Sequence, residues 1–264
     1  MTLIISKVFT YDTDAGNYIQ AVEAADGQAL EIGTRQAINY FVAGCKQDGI
    51  WSAIKASCIL SGARTLAGAL VPLAGTAPTN NGFIGLGTDY VRKTGLVGDG
   101  NTKLLNSNRN NNADPQNSKH LATYITVANT TSFGLPNLLG YQIDSGDFSG
   151  SQLFINPGGP TVSGKINSAA SNSISGTALN FVGASRSIST EENVRALGLT
   201  KTTSSNSLSV VSGNIRVFAG GFGGSVGNYT NARLAFYSIG ESLNLALLDA
   251  RVSNLISAFA AAIP

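Results

Sequence analysis

The chain has 264 residues, of which 12% are charged and 43% hydrophobic, and its net charge is +2. Charge is about half as frequent as in ordinary soluble domains, but this hydrophobic content and small net charge exclude a disordered chain. Lys and Arg form no run or stripe that would neutralise a row of phosphates, which argues against nucleic acid as the partner.

The opening "MTLIISKVFT" has an apolar patch too short for a signal-peptide core and no basic stretch before it, so secretory export is not expected. No run of 18 apolar residues stands in the chain, so no membrane insertion is expected either. "TDAGNYIQAVEAAD" predicts a helix: Thr13 or Asp14 can cap it, Tyr18, Ile19 and Val22 share a face, and Gly27 follows its end. "GTRQAINYFVAGCKQDG" predicts a second, with Thr34 as cap, Ile38, Phe41, Val42 and Cys45 on one stripe, and Asp48-Gly49 as the stop. "IWSAIKA" reads as a helical restart through Ile50, Trp51 and Ile54, with Trp51 packed into a core. Cys45 and Cys58 read as small buried hydrophobes in preference to a disulfide.

From about Ala63 the period changes to that of strands. "HLATYITV" alternates, with Leu121, Thr123, Ile125 and Val127 on one face. "SQLFINP", "TALNFVGAS", "SLSVV", "GNIRVFAGG" and "ARLAFYSIG" are further short strands parted by Gly, Asn, Ser and Pro. Such spacing predicts an antiparallel sandwich or barrel, not βαβ units. "GGFGGSVGN" reads as a hairpin turn, since no Lys-Ser/Thr follows it as in a phosphate loop. The helical period returns in "ESLNLALLDARVSNLISAFAAA", where Leu245, Leu248, Val252, Leu255 and Phe259 form a stripe and Asn244 or Ser242 can cap. With scarcely three heptads, this is expected to be one helix laid on its own domain, not a coiled coil. The expected organisation is a helical segment over 1–62, a β-sandwich over 63–241 and a C-terminal helix over 242–264.

The stretch "AINYFVAGCKQDGIWSAIKA" resembles the start of a family of tailed-phage virion proteins in which a helix precedes a β-sandwich. Ala37, Ile38, Asn39, Val42, Lys46, Gly49, Ile50, Trp51, Ile54, Lys55 and Ala56 carry the likeness. "YTNARLAFYSIGESL" (229–243) is similar to the family's closing strand, and "VGASRS" (182–187) resembles its central strand. After the opening helix this chain departs from the family, with "CILSGARTLAGALVPLAGTA" where the family continues differently. The resemblance implies a mainly β fold, a concanavalin A-like (laminin-G-type) jelly-roll sandwich with short N-terminal helices and one C-terminal helix. It also implies a structural protein at the virion surface, on capsid or tail, whose partners are other virion proteins and copies of itself.

Catalysis is not expected. The only histidine, His120, has no serine elbow or acidic partner in sequence, and Glu191 and Glu192 are adjacent, so they would face opposite sides of a strand. Retaining glycosidases need two carboxylates about 5–5.5 Å apart on one face. No cofactor is expected; Asp144 and Asp147 could share a calcium loop, but Asx-turn chemistry explains them equally well. Two functions stand against each other. One is a non-catalytic virion structural protein acting through protein–protein contacts. The alternative is a lectin-like module for a host surface glycan, for which Asp144, Asp147, Phe148, Asn228 and Tyr229 are the contact candidates.

Overall fold

The structure is a computed structural model that describes residues 10–85, 87–131, 134–142, 149–221 and 225–264. Helices α1 (Thr13–Asp26) and α2 (Ile32–Gln47) lead through a 3-10 turn at Trp51–Ala53 into strand β1 (Ile54–Ile59). A single-turn helix α3 (Leu66–Ala69) is followed by β2 (Thr79–Asn81), β3 (Tyr90–Val91), β4 (Gly95–Val97), β5 (Leu104–Asn110), β6 (Lys119–Val127) and β7 (Asn137–Gln142). Then come β8 (Gly150–Asn156), β9 (Thr161–Ile166), β10 (Asn172–Ser175), β11 (Asn180–Ile188), β12 (Glu191–Ala196), β13 (Leu199–Ser204), β14 (Asn214–Val217) and β15 (Arg233–Gly240). Helix α4 (Leu245–Ala262) closes the chain.

The strands form two antiparallel sheets, so the fold is mainly β, a jelly-roll sandwich with short N-terminal helices and one C-terminal helix. The first sheet runs β13-β12-β11-β6-β15-β4-β3, with β1 added along β15, and the second runs β10-β9-β8-β7-β14-β5-β2. Core residues alternate along the second sheet: Leu153, Val162, Ile166, Ile215 and Val217 are wholly buried. A methyl on Gly164 would lie 2.9 Å from both Ala184 and Val194 of the first sheet, so the two sheets touch there with no room for a side chain. A buried pair of ions closes one end of the sandwich. Arg186 and Glu192 are both sealed from solvent, 3.2 Å apart, and Glu192 also accepts from the Ile166 amide and the Ser168 hydroxyl.

The first sheet is covered on its outer side by the helices, which is why Leu234 to Gly240 of β15 is buried without alternation. Phe41 of α2 meets Phe236 edge-on at 5.7 Å. Helix α4 buries Leu245, Leu248, Val252, Leu255, Ile256 and Phe259, packs on α2 and β11, and is tied down by Arg251–Asp48 (2.7 Å) and Arg195–Asp249 (2.8 Å). The expected stripe therefore lies on the chain's own domain. The caps obey local chemistry: Asp12 accepts from the Asp14 and Ala15 amides, Gly27 is left-handed after α1, and Asn244 accepts from the Ala246 and Leu247 amides.

Several expectations change, among them the strand expected at "SLSVV" (207–211), where the chain forms none. The helical segment was expected to reach residue 62, but Ile54–Ile59 is a strand paired with β15. It lacks alternation because helices cover its outer side, so its apolar spacing passes for helical. Trp51 packs against the core but is only partly buried: its Nε1 donates to Asp14 Oδ2 at 3.0 Å, and Lys46 Nζ stands 5.9 Å from the ring. Helix α4, with 18 residues and a mean hydropathy of 1.4, matches a membrane span in length and mean composition alone; Asp249 and Arg251 interrupt it, and its apolar stripe is buried on the chain's own domain. Cys45 and Cys58 are free and buried, and burial pushes both thiols up to about 12.

Candidate functional site

The helices cover the first sheet; on the outer face of the second, Asn137, Gln152, Ser163 and Lys165 are each 5% exposed or less, while Phe154 and Arg216 are half-exposed. Register assembles that face from strands far apart in sequence. One cross-strand rank reads Thr79, Asn106, Arg216, Gly140, Gln152 and Lys165. The next holds Asn137, Phe154, Ser163 and Ser173, and a third holds Asn156, Thr161 and Ser175. Each alternates with a core residue on its own strand, as Gln152 and Phe154 do with Leu153. The ranks carry amides, hydroxyls, two cations and one half-exposed aromatic ring, with no carboxylate among the described residues.

Gly140 stands between Arg216 and Gln152, and a Cβ there would come within 2.6 Å of Asn137 Oδ1 and 3.0 Å of Gln152 Cγ. The Asn137 and Gln152 side chains therefore take up the space over this glycine. Lys165 is only 4% exposed, and burial pulls its pKa down to about 8 against the opposing pull of Glu192. Ser163 and Ser173 share a hydrogen bond of 2.7 Å. Beyond the third rank, Asn156 also lines a cleft of about 260 Å³ with Asn129, Thr131, Pro157 and Thr177 at the end of the sandwich.

Of the residues singled out from sequence, Asp144, Asp147 and Phe148 lie outside the described residues. Asn228 has a left-handed backbone (φ 52°), and its carbonyl accepts from the Asn137 amide at 2.7 Å, which sets it at the margin of the outer face; Tyr229 beside it is half-buried. Gly220 and Gly227 exchange both backbone hydrogen bonds, as expected for a hairpin in this glycine run. His120 is wholly buried, with Nδ1 2.6 Å from the Glu241 carbonyl and Nε2 2.7 Å from the Ser238 hydroxyl, and burial pushes its pKa down to about 4. Glu192 is sealed in its ion pair while Glu191 is half-exposed on the other side of β12. Among the described residues no cluster of three or more His, Cys, Asp or Glu side chains is placed to hold a metal. Arg216, Gln152, Phe154 and Lys165 were not singled out from sequence. Their signal was present as outward positions of "GNIRV", "SQLFIN" and "TVSGKI", but nothing in sequence aligns those strands with one another.

No protein-family model matches the chain, and no curated protein does. Among solved structures, the CBM40 of the Ruminococcus gnavus IT-sialidase, solved with α2,3-sialyllactose bound, is 14% identical, with a TM-score of 0.42 over 51% of this chain and 82% of that one. The binding domain of botulinum neurotoxin serotype D is 15% identical, with a TM-score of 0.48 over 76% of this chain and 51% of that one. The NanB sialidase of Streptococcus pneumoniae is 11% identical, with a TM-score of 0.40 over 50% of this chain and 23% of that one. At these identities and scores the likeness reaches no further than sandwich architecture.

Proposed function

We propose that this chain is a non-catalytic, lectin-like module that binds glycan on the outer face of its second sheet. One observation carries the reading: Phe154 stands half-exposed within ranks of Asn, Gln, Ser and Thr, on the sheet face that the helices do not occupy. Amides and hydroxyls both donate and accept, which suits the mixed hydroxyls of a sugar. A ring among them offers the apolar face of the sugar something to lie on. The non-catalytic part is supported by the burial of His120 and Glu192, each held by structural hydrogen bonds away from this face.

A glycan array followed by titration tests it. Saturable binding should fall about tenfold in Phe154→Ala, about 1.4 kcal/mol, with little change in thermal midpoint. An array without any bound glycan, or binding indifferent to Phe154, overturns the reading. The virion role rests on the resemblance to tailed-phage proteins and has one observation in its favour. Ile32 on α2 is 72% exposed, an apolar contact point on the helical side. In that role the helical side would sit on neighbouring virion proteins and the second sheet would meet the host surface glycan. Loss of incorporation into particles in Ile32→Asp would support the mounting, and unchanged incorporation would refute it.

A further inference from the structure

We infer that this face selects glycans bearing a carboxylate, and that Arg216 is the residue that binds it; the inference rests on the glycan-binding reading and narrows its ligand. The chain has nine arginines. Seven bind a carboxylate of their own chain: Arg35, Arg64, Arg92, Arg109, Arg186, Arg195 and Arg251. Arg233 donates to two backbone carbonyls. Arg216 differs from them all. Among the described residues its guanidinium meets no acceptor, its Nη1 is closed off from solvent and unpaired, and its one described neighbour of note is the Tyr141 ring, 5.8 Å from Cζ. Ile215 and Val217 on either side are wholly buried in the core, so Arg216 leaves on the outer face.

The surroundings specify what is missing. Asn137 is only 1% exposed, its Nδ2 donates to the Leu135 carbonyl, and its Oδ1 has no partner. A Cβ on Gly221 would fall 2.6 Å from Arg216 Nη1, and one on Gly220 would fall 2.7 Å from Asn137 Oδ1, so both atoms lie against the backbone of this glycine pair. The guanidinium of half-exposed Arg216 lacks an acceptor among the described residues, and the carboxylate of a sugar acid supplies one. The planar fork of an arginine matches a carboxylate bidentately, where a neutral hydroxyl takes one bond. Among the described residues the rank holds no acid to repel the ligand.

The test titrates the full chain with matched pairs: a hexuronate oligosaccharide against its carboxyl-reduced form, and sialyllactose against lactose. The expected result is at least about tenfold tighter binding of the acidic member of one pair, weakening as salt rises. Arg216→Gln should bring acidic and neutral members level, and Arg216→Lys should restore part of the preference. Equal affinity within both pairs, or a preference that survives in Arg216→Gln, overturns the inference and leaves the glycan-binding reading standing. A chain that binds neither member of either pair and is blank on the array overturns both. A thermal melt of each variant excludes loss of fold as the cause.

Discussion

Acidification should unlock this fold through one side chain. His120 is the only histidine, is wholly buried between the Glu241 carbonyl and the Ser238 hydroxyl, and titrates near 4 because burial penalises its charged form. An exposed imidazole titrates at about 6.5, so below that pH the unfolded chain takes up a proton that the folded chain refuses. The folded pKa is the lower of the two. The contribution is therefore complete above about pH 7 and is lost as pH falls toward 4. Between about pH 7.5 and about pH 5 the difference amounts to about 2 kcal/mol, a large share of a typical 5–15 kcal/mol. Lys119 and Lys165, both held near 8 by burial, and Glu31, held near 2, change charge mainly outside that interval, and Glu192, whose carboxyl burial pushes up, acts with the opposite sign in wild type and His120→Gln alike. Urea unfolding followed by the fluorescence of the single tryptophan, Trp51, measures it directly. Wild type should lose the 2 kcal/mol, while His120→Gln, though less stable throughout, should lose little. Equal losses in both proteins would refute the assignment to His120.

Two further outcomes follow from the helical layer. Glu31 takes a bidentate contact from Arg92 (3.1 and 2.8 Å) and one from Arg64 at 3.2 Å, and the Arg92 hydrogen bond above all holds its carboxyl at about 2. Because that pKa is depressed, its contribution is present above about pH 4.5 and lost as pH falls toward 2; Glu31→Gln should cost about 1–2 kcal/mol at neutral pH in denaturant unfolding and flatten the acid limb. Phe259 is wholly buried under Gly62, where a Cβ would meet its ring at 2.6 Å, so Phe259→Ala should cost about 3–5 kcal/mol, read as a fall in the urea midpoint with unchanged slope.

The helices were readable because each pairs a local stop with a stripe: Tyr18, Ile19 and Val22 before Gly27, and Leu245 to Phe259 after Asn244. Strands of the second sheet were readable because one side meets the core and the other does not, as in "SQLFIN". Strand β1 was misread for the opposite reason, since apolar residues on both sides erase the period of two. The candidate face was hidden for a different cause. Arg216 and Gly140 are 76 positions apart in the chain and adjacent across β14 and β7. Such neighbours are fixed by register, which depends on the whole core and on no motif. Trp51 departs from expectation through its indole N–H, which finds Asp14 near the surface where a core would leave it without a partner.

The placement of every long helix against one sheet makes the molecule two-sided. Copies anchored by α1, α2 and α4 to any common support would all turn their second sheets the same way, like bristles of one brush. Weak attachment at single faces then multiplies: once one copy is engaged, its neighbours meet the same surface at an effective concentration set by their spacing, and avidity can exceed the single-site affinity by about 10²–10⁴. A millimolar grip per copy is enough for such an array to hold fast, and a short washing step would release a lone copy while leaving the array in place.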